Sequence, residues 1–434
     1  ARPKPKGLKG RANSELRNVA PQGKAAAEAP KQQQQEHKKQ QTKMGRTEDW
    51  AFIAEHQAGD LVQLALRLAK RPDLDRSFIL EQINGRQKAK EKLPDWVAQE
   101  GLVFPSRLSM QQSSSQMTAQ KKAEYLAGGT LVDLTGGFGV DSYYLGQQFE
   151  RVYHVEPQKE LQEIVRANFA LLGFDRAEFF LGKAEEFLAQ ANLPAIDCFY
   201  IDPSRRSEGQ KVFRLDDCQP QLLDILPRLL ELAPRVWLKA ASMLDIQQAL
   251  QQLGGRVRQV YILAWRNECK ELLFEIGREL QNSPQIQIEE IYPKRAFSFH
   301  FELVEEEQAQ VNYGPLGSYV YLPHTALLKA GAFKLLAERY GLQKLAANSH
   351  VYSSEEEILG FPGRNFRLIR TIPYPSKASK KLGLAKAQII SKNFGLTVEQ
   401  LRKKLKIKQS GGPYLLASRD QEGKTWLYEL APLF

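Results

Sequence analysis

The stretch Leu131-Val132-Asp133-Leu134-Thr135-Gly136-Gly137-Phe138-Gly139 reads as a strand that ends beside an acid and turns through three glycines into a helix. Glycines at such a turn let the backbone approach a ligand, and the start of the following helix favours an anion or carboxylate. A dinucleotide site would ask for the spacing G-x-G-x-x-G. Here Gly137 and Gly139 are followed by Ser142, and an acid ahead of the glycines suits an ammonium group better than a pyrophosphate. Glu156 ends the next strand, placed to take both hydroxyls of a ribose. The plain alternative is a tight turn beside a surface acid.

Outward from this turn the chain alternates strands and helices. Leu131–Leu134, Arg151–Val155, Ala177–Leu181, Ile196–Ile201, Arg235–Lys239 and Arg256–Leu263 read as strands, with helices such as Lys159–Leu172 and Gln219–Leu232 between them. The alternation predicts an α/β fold, an open sheet covered on both faces. Lys270–Ile276 follows Leu263 after a short loop, as an antiparallel hairpin would. The expected sheet therefore holds six parallel strands plus one antiparallel, over residues 128–278. Upstream, Leu61, Leu64, Ala65 and Leu68 recur at helical spacing, and 44–127 is expected as an N-terminal helical domain. Beyond Glu279 the alternation stops. Ile286–Ile291 and Ala296–Val304 read as strands, and the last stretch reads as helix Leu384–Phe394, helix Val398–Lys404 and strands Tyr414–Ser418 and Thr425–Leu430. Two α+β modules are expected, 279–364 and 365–434.

The chain of 434 residues is 42% hydrophobic and 26% charged, with six histidines and three cysteines. No apolar run nears the ~18 residues of a membrane span. Cys198, Cys218 and Cys269 lack a CxxC spacing and no HExxH occurs, so a disulfide scaffold, a thiolate zinc site and a metallohydrolase are excluded, and no metal is expected. A reducing cytoplasm is the simplest compartment. Of the net charge of +11, residues 1–43 supply eleven basic against three acidic residues. That Pro-, Lys- and Gln-rich stretch is expected to be a disordered basic tail, with the folded part starting at Met44. Between Lys377 and Lys408 ten basic residues face one acid, Glu399, a local cationic patch suited to phosphates.

With Asp202-Pro203-Ser204-Arg205-Arg206 at the end of the fourth strand, the pattern resembles class I S-adenosylmethionine-dependent methyltransferases. Asp133–Gly139, Glu156 and Asp202–Arg206 look like their first, second and fourth motifs. From Met44 the chain resembles bacterial members with a small ferredoxin-like insert and a C-terminal THUMP-like domain. The resemblance implies a Rossmann-like sheet and S-adenosylmethionine as cofactor. It places the methionine part among Asp133, Thr135, Gly136, Gly137 and Gly139, and the ribose on Glu156. Thr118, in the Ser113–Thr118 segment that resembles a cofactor-covering segment of RNA methyltransferases, Asp141 and Ala184 complete the expected cofactor set. Lys183 stands where many relatives have an aspartate near the adenine.

Asp202, Pro203 and Arg205 are the expected catalytic residues. Ser204 and Arg205 replace the second proline and the aromatic of the Asp-Pro-Pro-Tyr form that serves exocyclic amines. The Asp-Pro-x-Arg run resembles the uracil-C5 family, whose chemistry uses a cysteine nucleophile. Lys239-Ala240-Ala241-Ser242 stands where that cysteine would be, Cys198 reads as a buried small hydrophobe, and Cys218 is the remaining substitute. Direct SN2 transfer to a ring nitrogen or hydroxyl, with Asp202 orienting or accepting the proton, fits better. Arg206, Lys239, Trp265, Asn267, Lys403 and Lys404 are the expected substrate contacts; Arg205 and Arg206 hold a phosphate or merely pair with Glu208 or Asp216, and Trp265 stacks on a base or packs under the helices. The expectation is a methyltransferase acting on RNA, tRNA or rRNA. Its rivals are an RNA-binding protein with a silent methyltransferase-like core, and a small-molecule or protein methyltransferase.

Overall fold

Asp133 ends strand β1 (Gly128–Asp133), which β2 (Phe149–Glu156) and β4 (Cys198–Ile201) flank in parallel, with β3 (Ala177–Leu181) parallel beyond β2. The computed structural model describes residues 44–205, 214–291, 297–374 and 382–433. Past β4 comes a short antiparallel pair, β5 (Ser204–Arg205) and β6 (Cys218–Gln219), before β7 (Arg235–Ala241) returns beside β4. The hairpin of β8 (Val257–Trp265) and β9 (Glu268–Gly277) then closes the sheet, with β9 antiparallel between β7 and β8. Six parallel strands and one antiparallel strand form as expected.

The sheet then continues. β10 (Gln285–Glu290) pairs in parallel with β8, and β11 (Ser298–Glu302) pairs antiparallel with β10. These strands were expected in a module starting at 279; instead they widen the first sheet to nine strands. The reason is side-chain alternation. Ile286, Ile288, Phe299 and Phe301 enter the same apolar cluster as Val260 and Ile262 of β8.

The second sheet has seven strands in the order β13-β14-β12-β15-β18-β17-β16: β12 (Tyr319–Pro323), β13 (Gln343–Lys344), β14 (Tyr352–Ser354), β15 (Gly363–Pro373), β16 (Lys386–Lys392), β17 (Gln409–Arg419) and β18 (Thr425–Pro432). β12 pairs with β15, so one sheet runs through both expected C-terminal modules. The expected helix Leu384–Phe394 is strand β16. Ala387 and Ile389 are buried, their neighbours Lys386 and Gln388 exposed, and the strand pairs in parallel with β17 from Gln388–Tyr414 to Lys392–Ser418. Adjacent β-branched Ile389 and Ile390 suit that pleat.

By compactness the chain divides after Lys88. The first unit carries α1 (Thr47–His56), α2 (Leu61–Leu68) and most of α3 (Arg76–Ala89), with Trp50 edge-on to Phe78. The expected helical domain 44–127 is thus split. Its later helices, α4 (Pro94–Ala98), α5 (Arg107–Gln112) and α6 (Gln116–Ala123), belong with the sheet: Trp96, Phe104, Met110 and Ala119 share a cluster with Leu131 and Phe138. Residues 1–43 lie outside the described residues. Among the described residues no helix is long and apolar enough to cross a membrane.

Candidate active site

The glycine turn is built by packing on one side and left open on the other. A Cβ on Gly136 would collide with the His154 ring; burial pushes that imidazole down to about 3, so it stays neutral. Gly137 has φ +52°, and a Cβ there would meet nothing nearer than the Thr135 carbonyl at 3.7 Å. Gly139 is the N-cap of helix α7 (Val140–Gly146). Asp133 is buried and organises the turn: one oxygen accepts from the Thr135 N–H at 3.1 Å, the other from Ser142 Oγ at 2.5 Å. Burial pushes its carboxyl up to about 7. Glu156, at the end of β2, accepts from the N–H groups of Gly137 (3.1 Å) and Gln158 (2.8 Å). Ala184 is buried at the start of α9 (Ala184–Leu188), just past β3; α8 (Lys159–Leu171) precedes it.

Thr135 ties this turn to the next strand end, where its Oγ1 accepts from the Asp202 N–H at 2.7 Å. Asp202 Oδ2 lies 2.5 Å from Lys239 Nζ. Lys239 stands 3.8 Å from Asp141, and Asp141 pairs at 2.8 Å with Lys122. Lys122 is fully buried and also reaches Glu271 (2.7 Å), Ser114 Oγ (2.9 Å) and Tyr200 OH (3.2 Å). Asp141 accepts further from Ser114 Oγ (2.7 Å) and Tyr200 OH (2.9 Å). Burial would raise Asp141, but Lys122 and Lys239 outweigh it and hold its carboxyl well below the usual range. For Asp202 burial wins over the Lys239 charge, and its carboxyl sits above the usual value.

This network redistributes several expected roles. Asp141 points into the lysines. Thr118 is buried and spends its hydroxyl on the Ser115 carbonyl at 3.1 Å, so the covering segment meets the network through Ser114. Pro203 is buried next to Asp202. The Arg205 backbone pairs with Cys218 in β5–β6, whereas Arg206 lies outside the described residues. Trp265, half-buried, ends β8 at the carboxyl edge of the parallel strands. Asn267, in the turn to β9, holds the start of α13 (Thr325–Ala330): its side chain accepts from the Thr325 N–H at 2.9 Å and its carbonyl accepts from Thr325 Oγ1 at 2.5 Å; α10 (Leu222–Leu232), α11 (Ile246–Gln252) and α12 (Leu303–Gln308) precede α13. Sequence reasoning missed Lys122, Tyr200 and Glu271, and within the covering segment it chose Thr118 rather than Ser114. The one local signal was Lys122 lying three residues past buried Ala119, on the same helix face.

A solved candidate methyltransferase from Porphyromonas gingivalis W83 matches with TM-score 0.79 at 30% identity, over 89% of this chain and 98% of that one. Two uncharacterized S-adenosylmethionine-dependent methyltransferases, from two strains of Mycobacterium tuberculosis, are each 24% identical over 307 residues, 70% of this chain and 80% of theirs. The chain belongs to the S-adenosylmethionine-dependent methyltransferases. Within this methyltransferase, residues 319–362 match a ferredoxin-like domain and 363–432 a THUMP domain-like family. The second sheet spans both. α14 (Lys334–Tyr340) and α15 (Val398–Leu405) pack with it, and α15 is capped by Thr397 Oγ1 accepting from the Gln400 N–H at 3.2 Å.

The residues fit the methyltransferase cofactor. The open space over Gly137 lets a ligand lie against the backbone, and Glu156 offers a carboxylate at the strand end beside it. Gly137→Val should therefore abolish S-adenosylmethionine binding in calorimetry, and Glu156→Ala should weaken it. A branched side chain would fill the open space and add about 1–2 kcal/mol of left-handed strain. Binding of NADH in its place, or unchanged affinity in Gly137→Val, would remove the turn from the cofactor site.

Proposed function

We propose that this methyltransferase methylates RNA, tRNA or rRNA, by direct SN2 transfer without a cysteine nucleophile, in the cytoplasm. The observation that carries the RNA reading is the outer face of the THUMP-like module. Leu401, Leu405 and Ile407 are buried while Lys403, Lys404, Lys406 and Lys408 are exposed, and none of these lysines forms an ion pair with a described residue. An unneutralised row of ammonium groups gains by displacing counterions from a phosphate backbone. Lys377, Lys380 and Lys381, counted in the same patch, lie outside the described residues.

The cysteines support transfer without a covalent intermediate. Cys198 lies inside β4, where burial pushes its thiol far up. Cys218 is fully buried in an apolar cluster. Cys269 is half-buried and pushed up to about 11. A thiolate nucleophile needs the opposite environment. All three are free thiols, as suits a reducing compartment.

The test is incubation with methyl-labelled S-adenosylmethionine and total tRNA or rRNA, reading label in the RNA. Beside it, a variant with Lys403, Lys404 and Lys406 all changed to Glu should bind RNA more weakly. If each lysine meets one phosphate, the slope of log affinity against log salt should shrink by roughly 2–3. S-adenosylmethionine affinity should not change. An unchanged salt slope would remove the module from RNA recognition.

A further inference from the structure

Asp202 and Lys239 follow the paired residues Ile201 and Leu238 on adjacent parallel strands, so they stand side by side at the carboxyl edge, beyond the glycine turn. The ammonium is in contact with the carboxylate at 2.5 Å. Behind it sit Asp141, Lys122 and Glu271. Lys92 belongs to the same surroundings: Nζ donates to the carbonyls of Met110 (2.7 Å) and Gln111 (3.1 Å), and burial together with the Lys239 charge pushes its ammonium down to about 8. The expected proton acceptor, Asp202, is thus not an isolated carboxylate but one held against a cation.

The sign of that charge discriminates between acceptor atoms. A ring nitrogen or amine gains positive charge as it attacks a sulfonium methyl group, so a neighbouring buried ammonium would raise its barrier. A pyrimidine C5 needs a thiolate, whereas Cys198 and Cys218 are buried and half-buried Cys269 is held protonated, its thiol pushed up to about 11. A hydroxyl loses a proton as it attacks, and an ammonium beside it stabilises the alkoxide character of the oxygen. The unused valences agree. Lys239 has three N–H donors, of which Asp202 takes one and Asp141 faces another. Asp202 Oδ1 has no hydrogen-bond partner among the described residues, and the side chain is 31% exposed.

We infer that the methylated atom is a hydroxyl oxygen, in RNA the ribose 2′-hydroxyl, with Asp202 accepting its proton and Lys239 stabilising the oxygen. The inference rests on the RNA reading above. A lone pair of the 2′-oxygen forms the new C–O bond to the methyl carbon. The C–S bond of S-adenosylmethionine breaks with its electron pair returning to sulfur, which leaves a neutral thioether, S-adenosylhomocysteine. The hydroxyl proton passes to Asp202 Oδ1. Lys122 touches neither reactant; it is a positioning residue that holds Asp141, and through it Lys239.

The wild-type protein, given methyl-labelled S-adenosylmethionine and RNA, should yield a nucleoside whose added mass stays with the ribose fragment in mass spectrometry. The neighbouring phosphodiester should resist alkali. Label on a base fragment would overturn the inference and leave the RNA reading standing. No label in any RNA would overturn the RNA reading and the 2′-oxygen with it. Lys239→Met should lose about 100-fold or more in single-turnover rate, with calorimetric S-adenosylmethionine affinity kept within a few-fold and Lys239→Arg recovering part of the rate. If Lys239→Met and Lys239→Gln both transferred at the wild-type rate, Lys239 would have no part in the chemistry. The product analysis uses wild-type protein and stands if either variant fails to fold.

Discussion

Asp202→Ala should keep S-adenosylmethionine affinity within a few-fold of wild type and lose turnover by about 10²–10⁴-fold, the usual reach of a positioned general base. The split follows from which part of Asp202 does what. Its backbone N–H holds Thr135 Oγ1 at 2.7 Å and so helps fix the glycine turn; the substitution leaves that bond in place. Its side chain reaches away from Glu156 toward Lys239, where the acceptor must approach. Lys239 retains Asp141 at 3.8 Å, so the fold keeps a counterion for it. Calorimetry for the cofactor and single-turnover methyl transfer read the two halves separately. Full activity in Asp202→Ala would make the residue structural and place the proton elsewhere.

Lys122→Met should be the most destabilising single substitution in the network, by roughly 3–5 kcal/mol, because it removes the buried cation that Asp141 and Glu271 share. A fall in Tm on the order of 10 °C would correspond. Its pH dependence separates charge from packing. In the wild type the Asp141 carboxyl is held below its unfolded value. The pair therefore stabilises in full above about pH 4 and loses that contribution as pH falls through the native value. In Lys122→Met the Asp141 carboxyl loses the nearer of its two cations and keeps only Lys239 at 3.8 Å, so less holds it below its unfolded value. The Tm gap between variant and wild type should then narrow as the pH falls below about 4. A gap independent of pH would show that the weight of Lys122 lies in packing alone.

Much of the first sheet was legible because its signals are local. Strand runs of four to eight residues, helices between them and a glycine turn after the first strand determine an α/β sheet of six parallel strands and one antiparallel, and they place Glu156 and Asp202 at strand ends. These depend on backbone preferences and on side-chain period, which a short window contains. The helix assigned to Leu384–Phe394 failed for the complementary reason. Leu384, Ile389, Ile390 and Phe394 satisfy either period loosely, and the decision fell to β17, more than twenty residues later, whose open edge offers β16 a ladder. β10 likewise took its place from an available partner, the free edge of β8, and β11 from β10.

The charge network shows the limit most sharply. Lys122 sits in Gln120-Lys121-Lys122, which by itself reads as a solvated helix surface, and Lys121 does pair at the surface with Glu124 at 2.6 Å. What buries Lys122 is Glu271, 149 residues away in sequence, together with Asp141 and Tyr200 from two other elements. A lysine is buried only where carboxylates and hydroxyls converge to replace its water. Local patterns in the chain set the strand ends that carry Glu156 and Asp202. The charges gathered around Asp202, those of Lys239, Asp141, Lys122 and Glu271, come from four separate elements that only packing brings together.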